Sequence, residues 1–282
     1  MKRRILILIF ILIFMIGCES NNYKDFKNAL EKTSNISQGK MEQKINIDFG
    51  EGKEDIDKIK IRNIVHYSKD KQKIINYTEI DDIGYDLEIF VDKDKEDILV
   101  YLSNIGKYFK INSSKDNTKI SNKDISKYIS LFDKEKFKKL KIIWNELIKK
   151  ENVFTGKDTI VDTKEGKVKA KKYIIKLNEK QINSLNNDLK NEFKDVMEKL
   201  NLKSIKINEI NYEALEDYDG FLVKENMNLE FIIKNDKDYN INIRLNTINY
   251  DIEQKQNINI PNVKDNELMK NSNIQDFEFE IN

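Results

Sequence analysis

The run Tyr173-Ile174-Ile175-Lys176-Leu177-Asn178-Glu179-Lys180-Gln181 contains a change of period. Up to Leu177 it continues an apolar-rich extended segment that starts at Val168. From Glu179 the apolar residues move to helical spacing, and Ile182, Leu185, Leu189, Phe193, Val196, Met197 and Leu200 fall on one stripe. The spacing therefore predicts a strand leading straight into a long helix from Glu179 to about Leu200. A helix with one apolar stripe has to lay it against another layer.

Upstream, that layer reads as a sheet. Met41, Ile45, Ile47 and Phe49 share one parity, and Ile59, Ile61, Val65 and Tyr67 share another run of odd positions. Ile74 to Ile80 is apolar again. Leu87, Ile89 and Val91, the charged turn Asp92 to Asp97, and Ile98, Val100 and Leu102 read as a hairpin. Gly106 precedes a short strand at Tyr108 to Ile111. An opening helix spans Tyr23 to Asn35, with Tyr23, Phe26, Ala29 and Leu30 on one side. Two further helices carry Ile125, Ile129 and Phe132, then Phe137, Leu140, Ile143, Trp144, Leu147 and Ile148. Short strands at Val153-Phe154 and Thr159 to Val161 precede the opening run.

Downstream, Ile205 to Tyr212, Phe221 to Val223, Leu229 to Ile233, Ile241 to Leu245, Ile248 to Ile252 and Ile258-Ile260 read as strands. The last of these closes the sheet before Pro261. Short turns make antiparallel neighbours. The expected body is α+β, a strongly curved antiparallel sheet with helices packed in or over its concave face. No Pro- or Gly-rich linker divides residues 23–282, so they read as one domain.

The first residues give an address. Lys2, Arg3 and Arg4 precede the apolar run Ile5 to Ile16, and Met15-Ile16-Gly17-Cys18 follows the lipobox pattern. The apolar run spans about 18 Å as a helix, short of a bilayer's hydrocarbon core of roughly 30 Å. Residues 1–17 read as a signal peptide cut between Gly17 and Cys18, and 18–22 as a polar tether. Cys18 is the one Cys of the chain, so no disulfide forms within it. The lipobox resembles the bacterial lipoprotein signal, which implies a diacylglyceryl group on the Cys18 sulfur. Acyl chains at ~0.8 kcal/mol per buried methylene would hold the protein on the outer face of the cell membrane.

The element order resembles the LolA-like fold, a half-closed β-barrel with helices over its mouth, also found in lipoproteins of the LppX and LprG type. It is similar to Firmicute surface lipoproteins of that architecture. The stretches that carry the resemblance are Phe26 to Thr33 followed by Met41 to Phe49, Tyr173 to Gln181, and Asn257 to Val263. It implies an architecture and a binding role. It supplies no catalytic set.

Little in the chain points to chemistry. The full chain's net charge is +1, less than the leader alone carries, so the remainder is slightly acidic and no nucleic-acid partner is expected. His66, the one His, lies in a predicted strand on the polar parity and reads as an ordinary exposed side chain. No Gly-x-Ser-x-Gly elbow accompanies it. Asp92-x-Asp94-x-Glu96 begins like an EF-hand loop, but Asp97 and Ser103 stand where Gly and Glu are needed. No phosphate loop, metal site or cofactor is expected, and the chain reads as non-catalytic. The chain's 14 Phe and 12 Tyr either fill a core or line an apolar cavity. In the second case Phe137, Trp144 and Phe193 are the candidate lining and a lipid-like molecule the candidate ligand. The alternative is a structural or sensory interaction module of the cell envelope without a small ligand.

Overall fold

A computed structural model describes residues 22–50, 58–95, 97–112, 134–192, 194, 198, 203–234, 238–264 and 266–268. For residues 111, 112, 134–138, 140 and 141 it describes the backbone alone. The expected cut at Gly17 and Cys18, the helix with Ile125 and Ile129, and Phe193 lie outside these residues. So does the side chain of Phe137.

Twelve strands form one antiparallel sheet among the described residues. They are β1 (Gly39–Phe49), β2 (Lys58–Tyr67), β3 (Lys71–Ile80), β4 (Ile83–Asp92), β5 (Asp97–Leu102), β6 (Lys107–Asn112), β7 (Val153–Thr155), β8 (Thr159–Thr163), β9 (Gly166–Lys176), β10 (Ser204–Glu216), β11 (Leu222–Lys234) and β12 (Asp238–Tyr250). The spatial order is β6-β5-β4-β3-β2-β1-β12-β11-β10-β9-β7, with β8 on β9. The meander β1 to β6 and the meander β9 to β12 meet at the pairing of β1 with β12. The two outermost strands of that order, β6 and β7, do not pair, so the sheet is unclosed.

Three helices accompany it: α1 (Asn22–Ser34), α2 (Lys134–Leu147) and α3 (Glu179–Glu192). All three lie at the β9 to β11 end, on one face. Phe26 and Ala29 of α1 are buried against Tyr173 of β9, Tyr212 and Ala214 of β10 and Leu222 of β11. Leu147 of α2 and Leu185 of α3 are buried with Ile210 of β10. Hydrogen bonds fix these positions. Thr33 Oγ1 accepts from the Leu222 amide at 2.7 Å. The Asn186 side chain donates to Ile207 O at 2.9 Å and accepts from Ile207 N at 2.6 Å, beside the bulge between Ile207 and Glu209.

The strand-to-helix change occurs where the sequence places it, and its latch is local. Asn178 Oδ1 accepts from the Gln181 amide, and Gln181 Oε1 accepts from the Asn178 amide, both at 3.0 Å. This is a capping box, which satisfies donors that a helix start otherwise leaves orphaned. Gln181 also exchanges amide hydrogen bonds with the buried Asn152 and donates to Leu147 O at 2.8 Å. One side chain therefore ties the end of α2 to the start of α3.

The structure departs from the sequence reading in three places. The segments expected as separate strands between Phe221 and Ile233, and between Ile241 and Ile252, form the single long strands β11 and β12. Their polar residues interrupt the apolar pattern on both parities, Glu225 and Asn249 on the helix-bearing one, but backbone pairing continues through them. Asn257 to Val263 is not a closing strand; it has no regular secondary structure. It crosses the outside of the sheet instead, and at its far end Leu268 makes an isolated parallel bridge to Tyr108 of β6. The β3–β4 hairpin, unmarked in the sequence reading, turns on Asp81 and Asp82 with φ of 44° and 72°. Two such residues suit the twist of a two-residue hairpin.

Candidate ligand-binding face

Pairing register assigns every strand residue to a face. Tyr212 of β10 packs under the helices, and its partners in register carry that face across the sheet. On β11, β12, β1, β2, β3 and β4 the rows read Met227, Leu245, Ile45, Ile61, Thr78 and Tyr85, then Leu229, Ile243, Ile47, Ile59, Ile80 and Ile83. Beyond them, Ile89 and Leu87 of β4 face Val100 and Leu102 of β5. Apart from Thr78 these side chains are apolar or aromatic, yet on β1 to β3 only Val65 of this face's apolar residues is fully buried. Ile45, Ile47, Ile59, Ile61 and Ile74 stay partly exposed, and Ile83 is 61% exposed. Where α1 to α3 sit, by contrast, the same face is dry: Phe26, Ile148, Tyr173 and Leu222 are fully buried.

A polar row crosses this apolar face. In register it runs Glu225 of β11, Thr247 of β12, Gln43 of β1, Asn63 of β2 and Asn76 of β3. Thr78 Oγ1 donates to Asn76 Oδ1 at 2.9 Å, Asn76 Nδ2 to Asn63 Oδ1 at 2.7 Å, and Asn63 Nδ2 to Gln43 Oε1 at 3.3 Å. At the other end Tyr212 Oη donates to Glu225. Burial raises the Glu225 carboxyl above its ordinary range, the Tyr212 hydrogen bond opposing it. Burial and the neighbouring carboxylate raise the Tyr212 phenol well above its own.

Trp144 is the described member of the three expected lining residues. Its ring meets Tyr212 edge-on with centroids 5.6 Å apart. It is partly buried and packs against both filled clusters at the helix end. The polar row itself was missed. Gln43, Asn63 and Asn76 look like interruptions of an alternating pattern, and only register shows that they coincide.

The opposite face is charged. Glu42 accepts from Arg62 Nε at 2.8 Å and pairs with Lys164 Nζ at 2.9 Å. Burial pushes its carboxyl up, but the hydrogen bonds from Lys164 and Arg62 outweigh this and bring it down to about 2. Lys164 lies in the β8–β9 turn, which folds over this face, and also donates to Tyr250 Oη at 3.2 Å. His66 is on this face too. It is partly buried rather than freely exposed, and burial together with Lys40 and Lys73 lowers its pKa. Further along, residues 260–263 and Leu268 roof a 320 Å³ cleft floored by Phe90 and Leu99. Asp92, expected in a solvated turn, is 5% exposed at its edge and accepts from the Lys95 amide at 3.3 Å. Among the described residues no three His, Cys, Asp or Glu side chains are grouped to hold a metal.

No family model matches the chain, and no curated protein matches it. Among solved structures, a LolA superfamily protein from Nitrosomonas europaea aligns over 89% of this chain and 98% of its own, at 9% identity and a TM-score of 0.23. The ywiB protein of Bacillus subtilis aligns over 77% and 96%, at 10% identity and a TM-score of 0.19. An N-terminal dehydratase from the difficidin assembly line aligns over 80% and 82%, at 8% identity and a TM-score of 0.15. TM-scores this low establish no common fold.

Proposed function

We propose that this protein is a non-catalytic lipoprotein of the cell envelope whose unclosed sheet binds a hydrophobic, lipid-like ligand. In this reading Cys18 carries the acyl anchor, residues 1–17 are removed, and the folded body stands on the outer face of the membrane. The sheet is the wall of a LolA-like half-barrel. One observation supports the binding role above the others: the helix-bearing face remains apolar across β1 to β5 but is not buried there. Apolar surface left in water costs about 25 cal/mol per Å², so a ligand that covers it gains that amount per unit area. A filled core would have left no such face.

Two measurements test the reading. Native mass spectrometry of the protein purified from its own host should show a lipid-sized adduct that organic solvent removes. A bare mass, with no adduct after incubation with total lipid extract, would refute ligand binding and leave an interaction module. Cys18→Ala should abolish incorporation of labelled acyl chains and leave an uncleaved precursor or a released protein. Unchanged labelling would refute the anchor.

A further inference from the structure

We infer that the sheet edge formed by β7 and β8, with the adjoining β10–β11 turn, rests on the bilayer, and that Phe154, Ile160 and Tyr218 enter its headgroup layer. The inference rests on the acyl anchor proposed above and adds to it the orientation of the folded body. Three observations carry it.

The first is reach. Asn22, where α1 begins, lies four peptide links from Cys18. Four links extend to about 14 Å at most. An acylated Cys18 sits at the bilayer surface, so the start of α1 stays within that distance of it. Asn22 Nδ2 donates to Thr155 Oγ1 at 3.4 Å. The tether therefore brings β7 to the surface together with α1.

The second is exposure. Tyr218 is 82% exposed and Ile160 66%, the two highest values among the large apolar side chains described. Phe154 is 48% exposed. All three lie around the first two turns of α1. Phe154 is next to Thr155 on β7. Ile160 is the register partner of Lys169. Lys169 and Tyr218 in turn line a 430 Å³ hollow with Asp25 and Asn28 of α1. Single exposed apolar residues are ordinary, but three of them gathered at a membrane tether have a surface to meet. An aromatic ring with a polar tip, as in Tyr218, suits the boundary of water and lipid.

The third is the chemistry of the edge. Among the described strands β7 and β8 pair with β9 alone, so one side of each keeps its backbone groups for water. A hydrated headgroup layer covers such an edge without taking that water away; the hydrocarbon core would strip it. The contact therefore stops at headgroup depth. Two lysines beside the apolar side chains are matched by carboxylates, Lys171 with Asp25 at 2.9 Å and Lys169 with Asp158 at 3.4 Å. The contact is made by the apolar side chains and needs no anionic lipid.

The test places the lipidated chain in phosphatidylcholine nanodiscs. The acylated Cys18 sulfur is blocked, so a single introduced Cys takes a nitroxide label. Labels go on Phe154→Cys, Ile160→Cys and Tyr218→Cys, one per variant, and on Tyr77→Cys as the control. Tyr77 lies on the sheet's other face, on β3, seven strand spacings from β7, roughly 34 Å along the sheet. Power-saturation spectroscopy reads how often oxygen and a water-soluble nickel chelate meet each label. On joining the disc, the oxygen-to-nickel ratio should rise at the three edge positions and stay unchanged at Tyr77. Added phosphatidylglycerol should leave these ratios as they are. Two of the three positions suffice if one substitution prevents folding. Unchanged ratios at the edge with the protein on the disc, an equal rise at Tyr77, or a rise that requires phosphatidylglycerol would overturn the contact and leave the anchor standing. A chain that does not join the discs, its Cys18 open to the label, would overturn the anchor and this inference with it.

Discussion

Glu42 is 6% exposed and still ionised, because Arg62 and Lys164 hold it from two sides. Lys164 comes from a turn far away in sequence, so this carboxylate fastens the β8–β9 hairpin to β1 and β2. A carboxyl whose folded-state pKa is depressed adds stability above its ordinary pKa and loses it as pH falls through the folded value. For Glu42 that window runs from about 4.5 down to about 2. Glu42→Gln should lower stability by about 2 kcal/mol at neutral pH, the cost of leaving two cations without their partner, discounted for their exposure. Thermal melts from pH 7 to pH 2 should show the gap between variant and parent closing below about pH 4.5. A gap that stays constant to pH 2 would mean that Glu42 is not held this way. Tyr212→Phe tests the other buried pair. It removes the donor to Glu225 and should cost about 1–2 kcal/mol in urea unfolding. No loss would indicate that Glu225 is solvated from the open side of the face.

At the scale of elements, the residues after β12 act as a strap. Ser37 donates to Glu253 from its amide and its hydroxyl, both at 2.9 Å. The chain then buries Ile258, passes over Phe90 and Leu99, and reaches β6. Ending the chain at Ile252 uncovers those two side chains. At about 1.5 kcal/mol or more for each large apolar residue, the loss should be about 3 kcal/mol in a denaturant titration, with new binding of an apolar dye. An unchanged midpoint would show that the strap covers nothing that matters to stability.

The strap also shows where sequence reading stops. Ile258 and Ile260 alternate as a strand does, and nothing local says that their partners are side chains beneath them rather than a strand beside them. The same limit hides the pairing of β1 with β12, which joins residues some 200 positions apart in the chain. Elements with their own period were legible. α1 was expected at Tyr23 to Asn35 and spans Asn22–Ser34, since Phe26 and Ala29 mark its buried side. Met41, Ile45, Ile47 and Phe49 gave the apolar parity of β1. The helical stripe that carries Trp144 was legible as well, and it forms α2. The polar row was not, because Gln43, Asn63 and Asn76 meet only through register across three strands, and in a chain this rich in Asn each alone carries no signal.

At the scale of the whole molecule, the sheet has two halves. Under the helices, β9, β10 and the start of β11 are packed; across β1 to β5 most apolar residues of the same face stay partly exposed. Such an arrangement binds an acyl chain if that face is its seat. Trp144 is the one Trp of the chain and lies under the helices, its ring 5.6 Å from that of Tyr212. Its fluorescence therefore reports on the helix-covered end of this face. Titration with 1-oleoylglycerol brominated across its double bond should quench Trp144 emission in a saturable way, and unbrominated 1-oleoylglycerol should compete the quenching off. Binding without quenching would place the ligand elsewhere, and neither binding nor quenching would contradict the account at its centre.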